Sequence, residues 1–368
     1  MSASSLPPTS VAVVLGTRPE IVKLAELVRL LGASAQVIYT GQHYDDSLGA
    51  SFFRELGVPS PDVKLSVGGA PRGAQIGQAL QSLDQHFAAH TPLAVVVQGD
   101  TNSTVAGALA ANARNVPLVH VEAGLRSHDR AMPEEHNRVV TDHLADLCCT
   151  PTETTRRQLE SEGIVGDRVL VTGNTVIEVL QRLLPQPEQR RQLLLHHGVT
   201  ASGYVVATFH RPENVDSADR LRHILGELAA LPLPVLLPLH PRTAARIVNF
   251  GLGSLLDELC VVQPLPYRHF LGLAAECAFL VSDSGGVQEE ASAIKRPVLV
   301  VRNSTERPEV LGTFARLVQP DDGIGASVAD WLTDLEGLHG QLARTPSPYG
   351  DGSASRRCHR ALKELVQR

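Results

Sequence analysis

Four acids, three arginines and three histidines crowd the stretch His120–Arg138, HVEAGLRSHDRAMPEEHNR, which begins on the apolar run PLVHV at 117–121. A glutamate at the end of an apolar strand is costly unless a partner or a function holds it there. Glu122 in HVEAG joins Asp100 in QGDT and Glu134 and Glu135 in MPEEHNR as carboxylates that follow strand-like runs. Acids gathered in one place repel, and a one-unit pKa difference is worth about 1.4 kcal/mol, so differing surroundings can leave one protonated and another ionised near neutral pH. That arrangement suits acid and base work on two faces of one carbon. Glu135 is set apart as an ordinary i,i+3 partner of Arg138.

A second group of residues suits an anion. SDSGGVQEE at 282–290 places Ser284, Gly285 and Gly286 where a helix begins. Hydroxyl and amide donors there make a pyrophosphate cradle, and a carboxylate one turn on, Glu289 or Glu290, suits the two hydroxyls of a ribose. HRPEN at 210–214 adds His210 and Arg211, able to meet a diphosphate or protonate a leaving phosphate. GTRPE at 16–20 sets Arg18 beside a helix start, where the backbone already favours negative charge. His240 in LHP reads as a structural histidine, and RNSTERPEV at 302–310 as a polar lining.

These groups need positioning elements, and the chain supplies a regular set. Short apolar runs at 11–15, 35–40, 93–98, 117–121, 146–150 and 168–173 alternate with helical patterns. The same grammar returns at 204–209, 235–240, 259–265, 279–283 and 297–301. Buried runs without strict alternation mean parallel strands covered on both faces, where ligands sit beyond the carboxyl ends. The predicted fold class is therefore α/β, two Rossmann-like domains facing a central cleft. The predicted domains are 1–175 with the carboxylates, 176–350 with the nucleotide site, and a helix at 351–368 returning to the first, with the polar stretch 183–192 as hinge.

Composition narrows the function. The 368 residues suit two domains, and a net charge of −6 argues against nucleic-acid or membrane partners while leaving room for a local basic pocket. The five cysteines have no zinc or disulfide spacing, and no apolar run reaches a membrane span, so a reducing cytoplasmic setting is expected. The N-terminus lacks the pattern of a signal peptide. GLGSLL at 251–256 lacks the third glycine of a dinucleotide fingerprint, and there is no Walker loop, HExxH or metal-ligand spacing. Neither cofactor nor metal is expected.

Read together, GTRPE, GQH, QGDT, HVEAGLRS, MPEEHNR, TGN, HRPEN, SDSGGVQEE and TERPE run in order along about 300 residues. Their succession resembles the UDP-N-acetylglucosamine 2-epimerase family, whose members have the two-domain GT-B architecture. The resemblance implies reversible exchange of UDP-N-acetylglucosamine and UDP-N-acetylmannosamine, by elimination of UDP to a 2-acetamidoglucal and re-addition with the proton delivered to the other face of C2. It implies Asp100, Glu122, Glu134 and His210 as catalytic, with Arg18, Arg138, Asn174, Arg211, Ser284, Gly285, Gly286 and Glu290 on the UDP-sugar. It implies Gln42, His43 and His240 as a candidate allosteric set for a second UDP-sugar, a homodimer through the first domain, and a place in cell-surface polysaccharide synthesis. RSHDRAM before Glu134, Pro212 in HRPEN and GQHYD at 41–45 are similar to a branch that includes enzymes acting on 2,3-diacetamido-glucuronate nucleotides. A hydrolysing epimerase releasing free N-acetylmannosamine and a GT-B glycosyltransferase are the other catalytic readings; intact Asp100, Glu122, Glu134 and His210 argue against a non-catalytic nucleotide-sugar sensor.

Overall fold

Val11–Leu15 is buried at every position. A strand with no solvent face must be covered by helices above and below, and such strands pair in parallel. A computed structural model describes residues 6–42, 53–54 and 56–368, so His43 and most of GQHYD lie outside the described residues. The chain divides into two compact units, Met1–Val179 with Tyr349–Arg368, and Leu180–Pro348.

The first unit holds a seven-stranded sheet in the order β3-β2-β1-β4-β5-β6-β7. Its strands are β1 (Val11–Leu15), β2 (Ala35–Tyr39), β3 (Val63–Lys64), β4 (Ala94–Gln98), β5 (Leu118–Val121), β6 (Leu147–Thr150) and β7 (Val169–Val171). Every pairing is parallel. Its helices are α1 (Arg18–Leu31), α2 (Arg72–Ala89), α3 (Asn102–Ala113), α4 (Pro133–Leu144) and α5 (Glu153–Ser161). The next helix, α6 (Val176–Leu183), carries the chain into the second unit, so the crossing falls inside a helix ahead of the polar stretch at 183–192.

The second unit repeats the plan with six strands in the order β10-β9-β8-β11-β12-β13. These are β8 (Val205–Thr208), β9 (Val235–Pro238), β10 (Cys260–Val262), β11 (Phe279–Ser282), β12 (Val298–Val301) and β13 (Ala315–Val318). Around them lie α7 (Pro187–His197), α8 (Pro212–Val215), α9 (Ala218–Ala229), α10 (Pro241–Phe250), α11 (Tyr267–Glu276), α12 (Gly285–Ile294), α13 (Ile324–Thr333) and α14 (Leu335–Arg344). In both sheets the strand order reverses at the middle, between β1 and β4 and between β8 and β11. That reversal opens a crevice beyond the strand ends, the standard ligand position of open α/β sheets.

The last helix, α15 (Ala354–Gln367), returns to the first unit and packs against α1. Ser355 N donates to both oxygens of Glu178 at 2.9 and 3.0 Å, and Arg357 Nη1 donates to the Thr172 carbonyl at 2.9 Å. Cys358 and Leu362 anchor its buried face.

One close approach fixes the start of α1. The Thr40 and Ser103 hydroxyls meet at 2.7 Å, and a Cβ added at Gly16 would land on both. Gly16→Ala is therefore expected to destabilise the first unit by about 1–3 kcal/mol, the usual cost of overpacking a filled site. Chemical denaturation followed by far-UV circular dichroism measures it; an unchanged midpoint would show that the turn yields freely.

Candidate active site

The first crevice collects the residues that follow β1, β4 and β5. Pro19 opens α1 behind Thr17, whose extended backbone ends the turn from β1. This leaves Arg18 exposed at the helix N-terminus. The buried stripe of α1 includes Ile21, Leu24, Val28 and Leu31, as the 3.6 periodicity requires, but also Glu20 and Lys23. Both answer to neighbouring strand ends.

Glu20 accepts hydrogen bonds from Gly16 N at 3.0 Å, Thr101 Oγ1 at 2.9 Å and Thr104 Oγ1 at 3.3 Å. It thereby joins the β1 turn to the start of α3, next to Asp100. Burial pushes its pKa up to about 7, and the hydrogen bonds offset that only in part. An acid whose pKa rises on folding stabilises the fold while protonated, and that contribution is lost as pH rises through the folded value. Stability is expected to fall between about pH 4.5 and pH 7, by a ceiling of about 3 kcal/mol. Denaturation midpoints at acidic and alkaline pH check this: the wild-type loss should shrink in Glu20→Gln, and an equal loss in both proteins would acquit Glu20.

Asp100 closes β4 and is half-buried; its carboxylate is bound by Arg138 Nη2 from α4. Arg138 Nη1 also donates to Glu135 at 3.2 Å, so the i,i+3 pair is present but shares its arginine with Asp100. Asn137 Nδ2 donates to the Asp100 carbonyl at 2.9 Å, which seats α4 on the β4 turn. Glu135 itself accepts from Ser127 N at 2.9 Å and His128 N at 3.0 Å, holding the loop that precedes it. Glu134, in the first turn of α4, is exposed, and among the described residues nothing is bonded to its carboxylate.

Glu122 closes β5 with a left-handed backbone, φ 67°. A glutamate there costs roughly 1–2 kcal/mol and persists because its surroundings insist on it. Its N–H and that of Ala123 both donate to the Cys149 carbonyl, at 3.0 and 3.1 Å. Lys23 Nζ binds the Glu122 carboxylate, with both side chains almost wholly buried. Asp100 and Glu122 each face a separate cation. Beside them, burial pushes up the pKa of Glu20.

The second crevice is built on Asp283, a residue that follows β11. The carboxylate accepts His210 N at 3.1 Å, Arg211 N at 2.9 Å and Asn214 Nδ2 at 3.1 Å, and lies 3.1 Å from His210 Nδ1. Burial would raise its pKa, but the His210 ring and these N–H donors outweigh it and hold it below the usual carboxylate range. An ionised Asp283 fixes the proton of His210 on Nδ1 and leaves Nε2 turned away. Ser284 precedes α12, whose first residues are Gly285 and Gly286. Around Gly285 lie Glu306 and Arg307. Burial opposes the charge on Glu306, yet Arg307, Arg302 and Arg211 together keep its carboxyl far below its ordinary range.

Other predicted site residues have visible structural work. Glu289 is buried and bound by Arg307 Nε at 2.8 Å, whereas Glu290 accepts the Tyr267 hydroxyl at 2.7 Å. Asn174 caps α6 by accepting Val176 N at 3.0 Å. Gln42 Oε1 accepts Ser103 N and Oγ, each at 2.9 Å. His240 begins α10 by accepting Arg242 N at 3.2 Å, its ring tilted 5.4 Å from that of His210. His43 lies outside the described residues. Glu20, Lys23 and Asp283 were missed in the sequence. The signal for the first two was a charged residue on the apolar stripe of α1, and for Asp283 its place between two strand-end serines. Among the described residues, no group of three His, Cys, Asp or Glu is placed to hold a metal, and no helix is long and apolar enough to cross a membrane.

Comparison with known proteins agrees with this arrangement of strand ends. The UDP-N-acetylglucosamine 2-epimerase from Methanocaldococcus jannaschii is 35% identical over 363 residues, covering 95% of this chain and 98% of that one. The crystal structure of the enzyme from that organism, in complex with UDP-GlcNAc and UDP, matches with a TM-score of 0.82 at 34% identity, covering 96% of this chain and 99% of its own. A UDP-2,3-diacetamido-2,3-dideoxy-D-glucuronate 2-epimerase from Pseudomonas aeruginosa is 34% identical over 96% of this chain and 99% of its own. The family model for UDP-N-acetylglucosamine 2-epimerase matches residues 26–363. With two doubly wound units and carboxylates at adjacent strand ends of the first, the chain belongs to the UDP-N-acetylglucosamine 2-epimerase family.

Proposed function

We propose that this enzyme interconverts UDP-N-acetylglucosamine and UDP-N-acetylmannosamine without releasing free sugar. The observation that carries this reading is the unequal setting of three carboxylates: Asp100 against Arg138, Glu122 against Lys23, and Glu134 exposed. In the forward direction Asp100 takes the proton from C2, and the C–H electrons form the C1–C2 double bond. The C1–oxygen bond breaks with its electron pair leaving on UDP. Glu134 then delivers a proton to the opposite face of C2 as a UDP oxygen re-adds to C1. Glu122, ionised beside Lys23, stabilises the positive charge that develops at C1.

His210, Arg211, Ser284, Gly285 and Gly286 are assigned to the diphosphate, where N–H donors at a helix start and a guanidinium suit its charge. Arg18, Arg138, Asn174 and Glu290 complete the UDP-sugar set, with Glu290 and the Tyr267 hydroxyl on the ribose. Gln42, His43 and His240 are assigned to a second, activating UDP-sugar; initial rates strictly linear in low substrate would remove that assignment. The enzyme is placed in the cytoplasm, as a homodimer through its first unit, supplying sugar nucleotide for surface polysaccharide.

Proton NMR of the protein with UDP-N-acetylglucosamine in deuterated buffer tests the reaction. A UDP-linked manno anomeric signal with deuterium at C2 is expected. Free N-acetylmannosamine with UDP would make it a hydrolysing enzyme. An unchanged spectrum, followed by turnover of the diacetamido-glucuronate nucleotide, would move it to the branch of the Pseudomonas relative.

A further inference from the structure

His120 is wholly buried on β5, and both of its ring nitrogens face acceptors. Nδ1 lies 2.6 Å from Asp142 Oδ1, and Nε2 lies 2.8 Å from the Gly99 carbonyl. A neutral imidazole has one N–H and one lone pair, and a carbonyl oxygen has no hydrogen to give. The Nε2 proton is therefore required by Gly99, which leaves Nδ1 and Asp142 to share the next one. Asp142 settles that choice through its other oxygen, which accepts Arg126 Nη1 at 2.7 Å and Gly124 N at 3.2 Å. An ionised Asp142 with an arginine and a backbone donor on one side leaves Nδ1 to donate on the other.

We infer that His120 is a positioning residue, held as an imidazolium, whose two N–H groups tie the turn carrying Asp100 to the turn carrying Glu122. One N–H grips Gly99, immediately before Asp100. The other grips Asp142, which in turn holds Gly124 N, two residues beyond Glu122. Gly99 and Gly124 both have positive φ, 71° and 84°, and Glu122 shares that hand. A Cβ at Gly124 would come within 2.5 Å of the Thr155 carbonyl, so this turn has no slack. The groups facing the ring compose a balanced cluster. Asp142 comes from α4, Arg126 from the loop after β5, and Glu162 binds Arg126 at 2.6 and 2.8 Å. Cys148, the register partner of His120 on β6, donates its thiol to the Asp142 carbonyl at 3.6 Å. It stays neutral, its pKa driven up by burial.

The ring's charge stands apart from the epimerase reading; the kinetic consequence rests on it. Histidine labelled with nitrogen-15 in the wild-type protein is expected to show one ring with both nitrogens protonated in the folded enzyme at neutral pH, because both face acceptors. His120→Gln, which cannot donate to two acceptors from one planar ring, should remove that signal. The same variant should lower kcat about 10²-fold, the scale of a misplaced catalytic group, with KM and UDP affinity within about threefold. Should it fail to fold, Asp142→Asn keeps the ring but removes the charge facing Nδ1, and should leave the ring with a single N–H at neutral pH. A wild-type ring with a single protonated nitrogen in the folded enzyme at neutral pH, or a folded His120→Gln enzyme with unchanged kcat, overturns the inference. Wild-type protein that turns over no UDP-sugar would sink the epimerase reading while leaving the ring measurement intact.

Discussion

In Asp100→Asn protein the C2 hydrogen of the sugar is expected to stop exchanging with solvent, and kcat to fall by about 10³-fold. An amide cannot take up a proton at neutral pH, and it cannot neutralise Arg138. The backbone, however, should hold: the Asp100 carbonyl keeps its bond from Asn137, and Arg138 keeps Glu135. The loss should therefore appear in kcat and in deuterium incorporation at C2, with UDP affinity by calorimetry near that of wild type. Exchange within about threefold of wild type would remove Asp100 from proton transfer, since a positioned general base contributes about 10²–10⁴-fold. In that case Glu134, exposed in the first turn of α4, is left as the one acid of the three assigned to proton transfer.

The largest effect on stability is expected from Lys23→Met. Lys23 and Glu122 are 8% and 7% exposed, so removing the lysine strands an anion in the protein at a cost of about 3–5 kcal/mol. Glu122 must also keep its left-handed backbone without the ion pair that holds its side chain. The double variant Lys23→Met/Glu122→Gln should recover most of the loss, because a paired removal leaves no buried charge. Fluorescence would watch the wrong unit, since the single tryptophan, Trp331, lies in α13 of the second. Far-UV circular dichroism, or amide exchange on β1 and β5, reads the first unit directly. If the single variant melts with wild type, the ion pair is a surface contact in energetic terms and the proposed role of Glu122 loses its electrostatic basis.

Eleven of the thirteen strands among the described residues were legible because parallel strands covered on both faces leave an unbroken apolar run; the predicted VAVVL matches β1 at both ends. The two that were not, β3 and β13, lie at opposite edges of their sheets. β3 is only Val63–Lys64, and Arg316 interrupts the apolar pattern of β13. The same contrast holds at the site. Strand-end residues such as Asp100, Glu122 and His210 announce themselves, because a polar group ending an apolar run needs a reason. Their partners do not. Lys23 lies ninety-nine residues from Glu122 and Asp283 seventy-three from His210, distances at which only the crossover connections decide who meets whom. Glu135 illustrates the limit: its i,i+3 contact with Arg138 was readable from local spacing, while the capture of that arginine by Asp100 required the fold.

The path of the chain through α6 and back to α15 sets an order of events during synthesis. The first unit is begun by residues 1–179 but includes Tyr349–Arg368, which are made after the whole of the second. Until those residues emerge, α1 lacks the helix that packs on it, and Glu178 lacks the backbone donor of Ser355. The second unit, continuous from 180 to 348, has no such wait. The usual sequence, in which the amino-terminal domain matures first on the ribosome, is thereby inverted: the half bearing the acids is the last to be sealed.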